Sequence, residues 1–379
     1  LGINSRDLAT FRVDPLTPLG LAAEVDWECR LIFESGIYAP EQVQTALDGG
    51  FSGILVGESV VRRPEGIAEL IGALEGHYRA SMRAGTAGSA GSAGSPGAGT
   101  HGPARSDRPQ AVTVGAAGVT PFFWRRIATE IRRRKEALPQ DPDKPPQERA
   151  SAMGAAAPGT ARPIRPMVKI CGITREEDAR LAVELGADLL GFIIADSPRE
   201  LAADELKALL QRISDLDVPR IGVLVARKRG DIDKRRVERA RSLLAEGLLS
   251  ALQLHGDENP EECAAVGMPY YKALRPKEPR ELEFAESFRS PRILLDGYSG
   301  TRYGGTGTSV AEQIVDRWRE RHPLWLAGGI TPENVAERIA RFGPELIDVA
   351  SGVEETPGVK SRQKLSILFE EIDDATASE

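Results

Sequence analysis

Eight short apolar runs between residues 167 and 372 constrain this chain more than any other feature. They read VKICGI, LLGFII, RIGVLVA, ALQLHG, YYKALR, RILLDG, LWLAGG and LIDVASG, starting near Val168, Leu189, Arg220, Ala251, Tyr270, Arg292, Leu324 and Leu346. Five of the eight end in Gly or Arg, and stretches with helical periodicity separate them. Near-continuous apolar strands with helices between them imply parallel pairing, the helices covering the sheet. Eight such units match a compact (β/α)8 barrel. A doubly wound open sheet is the competing arrangement, but eight regular units and no GxGxxG after the first run favour the closed barrel.

Upstream, the composition changes twice. Residues 81–166 begin as a Gly/Ala/Ser/Pro tract, AGTAGSAGSAGSPGAGTHGPARSDRP, which cannot bury enough apolar surface to offset its ordering entropy. Within it, residues 121–138 (PFFWRRIATEIRRRKEAL) are expected to form a basic amphipathic helix resting on a flanking domain; a membrane-surface or partner-docking helix is the alternative. The expected organisation is therefore a segment 1–80, a linker 81–166 and a barrel 167–379. With 379 residues and a net charge of −7, the chain does not have the balance of a general nucleic-acid binder, and no apolar run is long enough for a membrane helix. Cys29, Cys171 and Cys263 lack metal-ligand spacing, and the four histidines do not cluster with them. No metal site is expected, and the cysteine usage fits a cytoplasmic location.

In such a barrel the chemistry sits at the C-terminal strand ends. Those ends carry Cys171, the loop with Ser197 and Arg199, His255 with Asp257, Arg275, Asp296, Gly328 with Gly329, and Ser351 with Gly352. The last two pairs follow strands seven and eight. Small residues there expose backbone N–H groups that suit a phosphate, with Thr331 as an expected helix N-cap and Pro332 at the first helical position. Cys171 is either a small core residue or a reagent. Arg199 is a mouth residue or a surface arginine, and His255 orders a loop or takes part in chemistry. A strand-end Asp296 with no partner would have a raised pKa and could donate a proton. Cys263 reads as packing.

Taken together, VKICGIT, GFIIADSPRELAADE, LQLHGDE, RILLDG followed by GGTGTS, WLAGGITPENV and IDVASGVEETPGVKS resemble the phosphoribosylanthranilate isomerase family across Met167 to Ile372. The resemblance implies a (β/α)8 barrel and a cofactor-free Amadori rearrangement in tryptophan biosynthesis. It also implies Asp296 as the acid that opens the furanose ring and Cys171 as the base at C2′. The electropositive turns around the phosphate are expected to favour a Cys171 thiolate. Arg199 would hold the anthranilate carboxylate, although the loop ADSPREL is shorter than usual for the family. His255, Gly305 and Gly307 would contact the substrate, and Gly328, Gly329, Ser351 and Gly352 the phosphate. A histidine-pathway phosphosugar isomerase, or a silent barrel scaffolding other tryptophan enzymes, are the alternatives. Cys171 argues against the first, and Cys171 with Asp296 against the second.

The first 80 residues resemble the last three βα units of indole-3-glycerol phosphate synthase, in LGINSRDLATFRVDP, RLIFESGIYAPEQV and GILVGESVVRRP. The resemblance implies that Asn4, Arg6, Glu34 and Ser35 belong to a substrate site, and Gly57 and Ser59 to a phosphate site. Three units cannot close a barrel and leave two sheet edges open. The strands expected to carry the synthase's catalytic lysines do not occur in this sequence, which begins inside a strand without Met, as a truncated piece would. The segment is expected to be inactive alone, with a separate synthase half or other tryptophan-pathway enzymes as partners.

Overall fold

The computed structural model describes residues 1–7, 11–27, 29–87, 123–137, 163–226, 228, 230–297 and 309–377. The eight apolar runs become strands β4 to β11: Met167–Cys171, Leu189–Ile193, Arg220–Leu224, Ala251–Leu254, Tyr270–Leu274, Ile293–Leu295, Trp325–Ala327 and Leu346–Val349. All pair in parallel, and β11 returns to β4, so the sheet closes as a barrel. Seven of the units carry an α-helix: α6 Glu176–Glu184, α7 Ala203–Arg212, α8 Lys234–Ala245, α9 Pro260–Ala265, α10 Glu312–Arg319, α11 Val335–Phe342 and α12 Arg362–Thr376. The unit after β8 has a 3₁₀ helix, Pro279–Phe288, in that place. A short hairpin of β12 (Glu354–Thr356) and β13 (Val359–Lys360) lies between β11 and α12.

Local sequence explains the helix starts. Asn259 and Glu262 form a reciprocal cap around Pro260, and Asp233 caps α8 by accepting from the N–H groups of Arg235 and Arg236. The apolar stripe of α12 buries Leu365, Leu368, Phe369 and Ile372. Each such side chain is worth about 1.5–3 kcal/mol of transfer free energy. The cap expected at Thr331 is a correction. Here Asn334 reaches back, its Oδ1 accepting from the Thr331 N–H at 2.9 Å and its Nδ2 donating to Gly329 O at 2.8 Å. Those bonds hold residues 331–334 as a turn, and α11 starts at Val335.

The N-terminal segment forms an open parallel sheet in the order β1 (Gly2–Asn4), β2 (Ile32–Glu34), β3 (Gly53–Leu55). Helices α1 (Thr17–Ala22), α2 (Pro40–Asp48), α3 (Glu58–Arg62) and α4 (Ile67–Ala87) accompany it. The basic stretch forms α5, Phe123–Glu136, whose apolar stripe of Phe123, Trp124, Ile127, Ala128 and Ile131 is buried. This helix lies between the two parts. Trp124 meets Trp325 at a centroid distance of 6.1 Å, and Trp325 meets Tyr271 edge-on at 5.1 Å. One apolar cluster therefore joins Leu19, Val43 and Phe51 of the N-terminal segment to Met167, Leu189, Ala251 and Leu346 at the strand starts of the barrel.

Polar contacts frame this interface. Arg292 donates to both oxygens of Asp14 at 2.9 Å, and to Glu345 at 2.8 Å. Burial pushes the Asp14 carboxyl up, but the Arg292 guanidinium more than offsets it and holds its pKa below the usual range. Arg134 bridges α5 to Pro166 O and Asp188, and Arg126 pairs with Asp217 at 2.6 Å.

Because Trp124 fills the junction, Trp124→Ala is expected to lower stability by about 3–5 kcal/mol. Urea unfolding followed by circular dichroism checks this; an unchanged midpoint would mean that α5 adds nothing to the barrel's stability.

Candidate active site

The C-terminal ends of the barrel strands bring the expected site residues to one rim. Cys171 is the last residue of β4 and is buried. Lys169, two residues earlier on the same face of the strand, is fully buried within the barrel. Its Nζ donates to Asp348 Oδ2 of β11 and to Gln253 Oε1 of β7, both at 2.7 Å. The second oxygen, Asp348 Oδ1, has no hydrogen-bond partner among the described residues.

These surroundings act against the thiolate expected at Cys171. Burial is the largest influence on Cys171 and raises its pKa; the Lys169 ammonium lowers it, and Asp348 raises it again. The net direction is upward. Cys263 is also buried, and its thiol is pushed up to about 12, in keeping with packing. Cys29 is exposed.

Asp296 follows β9 directly and is buried at the rim, but it has partners, contrary to the expectation of an isolated carboxyl. Its Oδ1 accepts from the Gly297 N–H at 2.7 Å, and its Oδ2 lies 2.8 Å from His255 Nε2. The other ring nitrogen of His255 lies 2.6 Å from Gln253 Nε2. Asp257 and Arg275 pair with each other at 3.2 Å.

Arg199 reaches the site from the loop after β5. Its guanidinium is held by Glu354, with Nε to Oε1 at 2.9 Å and Nη2 to Oε2 at 2.7 Å. Lys360 donates to the same carboxylate at 2.9 Å, and also to Cys171 O at 2.6 Å. Burial opposes ionisation of Glu354, yet Arg199 and Lys360 keep its pKa below the usual carboxylate range.

Turns after β10 and β11 bound a cavity of about 320 Å³ lined by Gly329, Ile330, Thr331, Glu333, Ser351, Gly352 and Lys364. Gly328 and Gly329 take the left-handed conformation, with φ of +89° and +65°. A Cβ on Gly352 would fall 2.0 Å from Ile330 O, so only glycine lets the two turns approach this closely. Gly305 and Gly307 lie outside the described residues.

Asn4 and Glu34 sit at the ends of paired strands in the N-terminal sheet. Arg6 donates to Glu58 at 3.0 Å, and its N–H to Asn4 Oδ1 at 2.8 Å. Ser35 has a left-handed backbone, φ +67°; Gly57 precedes α3, and the Ser59 hydroxyl is buried without a hydrogen-bond partner among the described residues.

Residues 168–371, 204 of the 379, match the family model described as N-(5′-phosphoribosyl)anthranilate (PRA) isomerase. The chain belongs to that family. Residues 1–70 match the model for indole-3-glycerol phosphate synthase, so a partial synthase-like fragment precedes the isomerase barrel. N-(5′-phosphoribosyl)anthranilate isomerases from Geobacter metallireducens and Syntrophus aciditrophicus are each 38% identical to it, over 52% and 53% of this chain and 94% and 85% of theirs. A crystal structure of phosphoribosyl anthranilate isomerase from Thermus thermophilus is 39% identical, covering 55% of this chain and 98% of its own, with a TM-score of 0.47. No described helix is long and apolar enough to cross a membrane.

Sequence reasoning missed Lys169, Gln253, Tyr271, Asp348, Glu354, Lys360 and Lys364. Three of them carried a signal: Lys169, Gln253 and Asp348 are polar residues inside otherwise apolar strands. The raised Cys171 pKa predicts slow alkylation at neutral pH. Iodoacetamide at pH 7.5 is expected to label Cys29 at least about tenfold faster than Cys171, whose rate should keep rising above the ordinary thiol range near 8.5. Mass spectrometry reads this, and equal rates at pH 7.5 would reveal a low-pKa thiolate instead.

Proposed function

We propose that this chain catalyses the Amadori rearrangement of N-(5′-phosphoribosyl)anthranilate to 1-(2-carboxyphenylamino)-1-deoxyribulose 5-phosphate. The observation that carries the reading is a thiol and a carboxyl, Cys171 and Asp296, at one rim of one closed barrel, on strands separated by two others. They offer a proton acceptor and a proton donor on different sides of a sugar seated in the mouth.

Protonated Asp296 gives its proton to the furanose ring oxygen as the C1′–O bond breaks toward that oxygen. The nitrogen lone pair closes the C1′=N bond of a Schiff base. The Cys171 thiolate then takes the C2′ proton; the C–H electrons form C1′=C2′, and the C=N electrons return to nitrogen. Loss of the enol proton and protonation of C1′ give the ketone. General acid–base steps of this kind contribute about 10²–10⁴ each.

Binding follows from the remaining groups. Glu354 occupies the Nε/Nη2 edge of Arg199, which leaves the Nη1 corner of the guanidinium for the anthranilate carboxylate. His255 lies beside the sugar through its contact with Asp296. The phosphate takes the cavity lined by Gly329, Ser351 and Gly352, next to Gly328, where Lys364 supplies a cation. The N-terminal fragment shows three parallel strands among the described residues, too few to close a barrel by themselves.

The test is consumption of fluorescent phosphoribosylanthranilate by the whole chain. Cys171→Ala and Asp296→Asn should each lower kcat by about 10²–10⁴-fold with unchanged circular dichroism. No turnover by the parent chain would remove the proposal, and near-parental rates in both variants would remove the acid–base assignment. A base whose pKa is raised ionises late, so kcat/KM should still climb between pH 8 and pH 9.

A further inference from the structure

A line of buried hydrogen bonds crosses the barrel interior and ends on Asp296. Lys169 of β4 and Tyr271 of β8 both donate to Gln253 Oε1, at 2.7 and 2.8 Å. A lysine ammonium has donors only, so the amide oxygen of Gln253 must face it and the amide nitrogen must face His255. Burial opposes the charge on Lys169, and the Asp348 carboxylate at 2.7 Å more than offsets this, so its pKa lies above the ordinary lysine range. Gly191 of β5 makes room for the arrangement: a Cβ there would lie 2.7 Å from Cys171 Sγ and 3.0 Å from Lys169 Cε.

Gln253 Nε2 then points a donor at His255 Nδ1 over 2.6 Å, and only a lone pair can receive it. The single ring N–H is left on Nε2, 2.8 Å from Asp296 Oδ2. We propose that Gln253, oriented by Lys169, locks His255 as the neutral Nε2–H tautomer and so makes it a fixed hydrogen-bond donor to Asp296. Gln253 is a positioning residue; it acts through the imidazole. A second ring proton would set Nδ1–H against the amide N–H, so His255 does not serve as a proton store. Its donated bond stabilises the carboxylate that remains once Asp296 has given up its proton.

Among the described residues the ring is hydrogen-bonded to Gln253 and to Asp296 after β9, and the charged and titratable groups behind Gln253 are Lys169 of β4, Tyr271 of β8 and, paired with Lys169, Asp348 of β11. Asp257 pairs with Arg275, and Lys272 with Glu258 at 3.1 Å, so those charges are matched among themselves.

The kinetic consequence rests on the isomerase reading; the tautomer does not. The full chain labelled with ¹⁵N-histidine carries four histidines, and His255 is assigned by the signals lost in His255→Asn. Its Nδ1 should report a bare lone pair and its Nε2 a proton at pH 7.5. Gln253→Glu turns an acceptor toward Nδ1 and should move a proton there. Its kcat should fall about 10- to 100-fold, the range seen when partners that orient a metal-bound histidine are lost, with KM within about twofold and an altered pH profile. A protonated Nδ1 in the parent chain would overturn the proposal. So would a Gln253→Glu protein with unchanged ring shifts and kcat. If that variant does not fold, the parent spectrum decides. If the parent chain shows no turnover, the isomerase reading falls and the spectrum still decides the tautomer.

Discussion

The upper half of the barrel interior depends on one buried charge. Lys169 is sealed from solvent, and moving an ammonium out of water costs several kcal/mol even after relaxation. Asp348 and the Gln253 oxygen offset that cost by direct contact. Removing Lys169 or Asp348 alone would leave an uncompensated buried charge, which in such pairs destabilises by about 3–5 kcal/mol. The layer must therefore be polar, and each polar group in it needs its own partner. That requirement recruits the Tyr271 hydroxyl and fixes the amide of Gln253, and through it the rim.

The lower half is built on the opposite principle. At the strand starts, Met167, Leu189, Ile221, Ala251 and Leu346 form an apolar layer. The N-terminal segment and α5 cover it with Leu19, Phe33, Trp124 and Ile127. Chemistry in this architecture belongs to the C-terminal rim and stability to the N-terminal face. Attachment of the synthase-like fragment at the N-terminal face leaves the mouth with Cys171 and Asp296 clear. Tyr271 touches both halves, with its ring against Trp325 and its hydroxyl on Gln253.

Much of this was legible in the sequence. The eight apolar runs located every barrel strand to within one residue of its start, because a strand buried on both faces leaves a near-continuous apolar signature. The stripe of Phe123, Trp124, Ile127 and Ile131 likewise announced α5. The direction of the Cys171 pKa was not legible: the electropositive turns follow β10 and β11, whereas burial acts at the sulfur itself. Nor was the pairing of Lys169 with Asp348, which are 179 residues apart. Yet in VKIC, ALQLH and LIDVAS the polar residue sits two or three places before the rim residue. In VKIC and ALQLH the spacing is two, and a period of two turns both side chains inward. Thr331 misled because Asn334 competes for the same backbone groups.

Closure of the barrel and preparation of the site use one set of ions. Glu354 receives Arg199 from the loop after β5, Lys360 from β13 and the Gly358 N–H. Lys360 in turn holds Cys171 O at the end of β4 and Ala350 O beyond β11, spanning the seam where the last strand meets the first. The Cys171 backbone and the Arg199 guanidinium are thus referred to the same carboxylate. Since Glu354 keeps Lys360 and Gly358 as partners, the substrate carboxylate proposed for Arg199 would share it without stripping Glu354 of its hydrogen bonds. Groups already held in place need no reorganisation when charge arrives, and it is this condition that gives electrostatic contacts their value in a dry site.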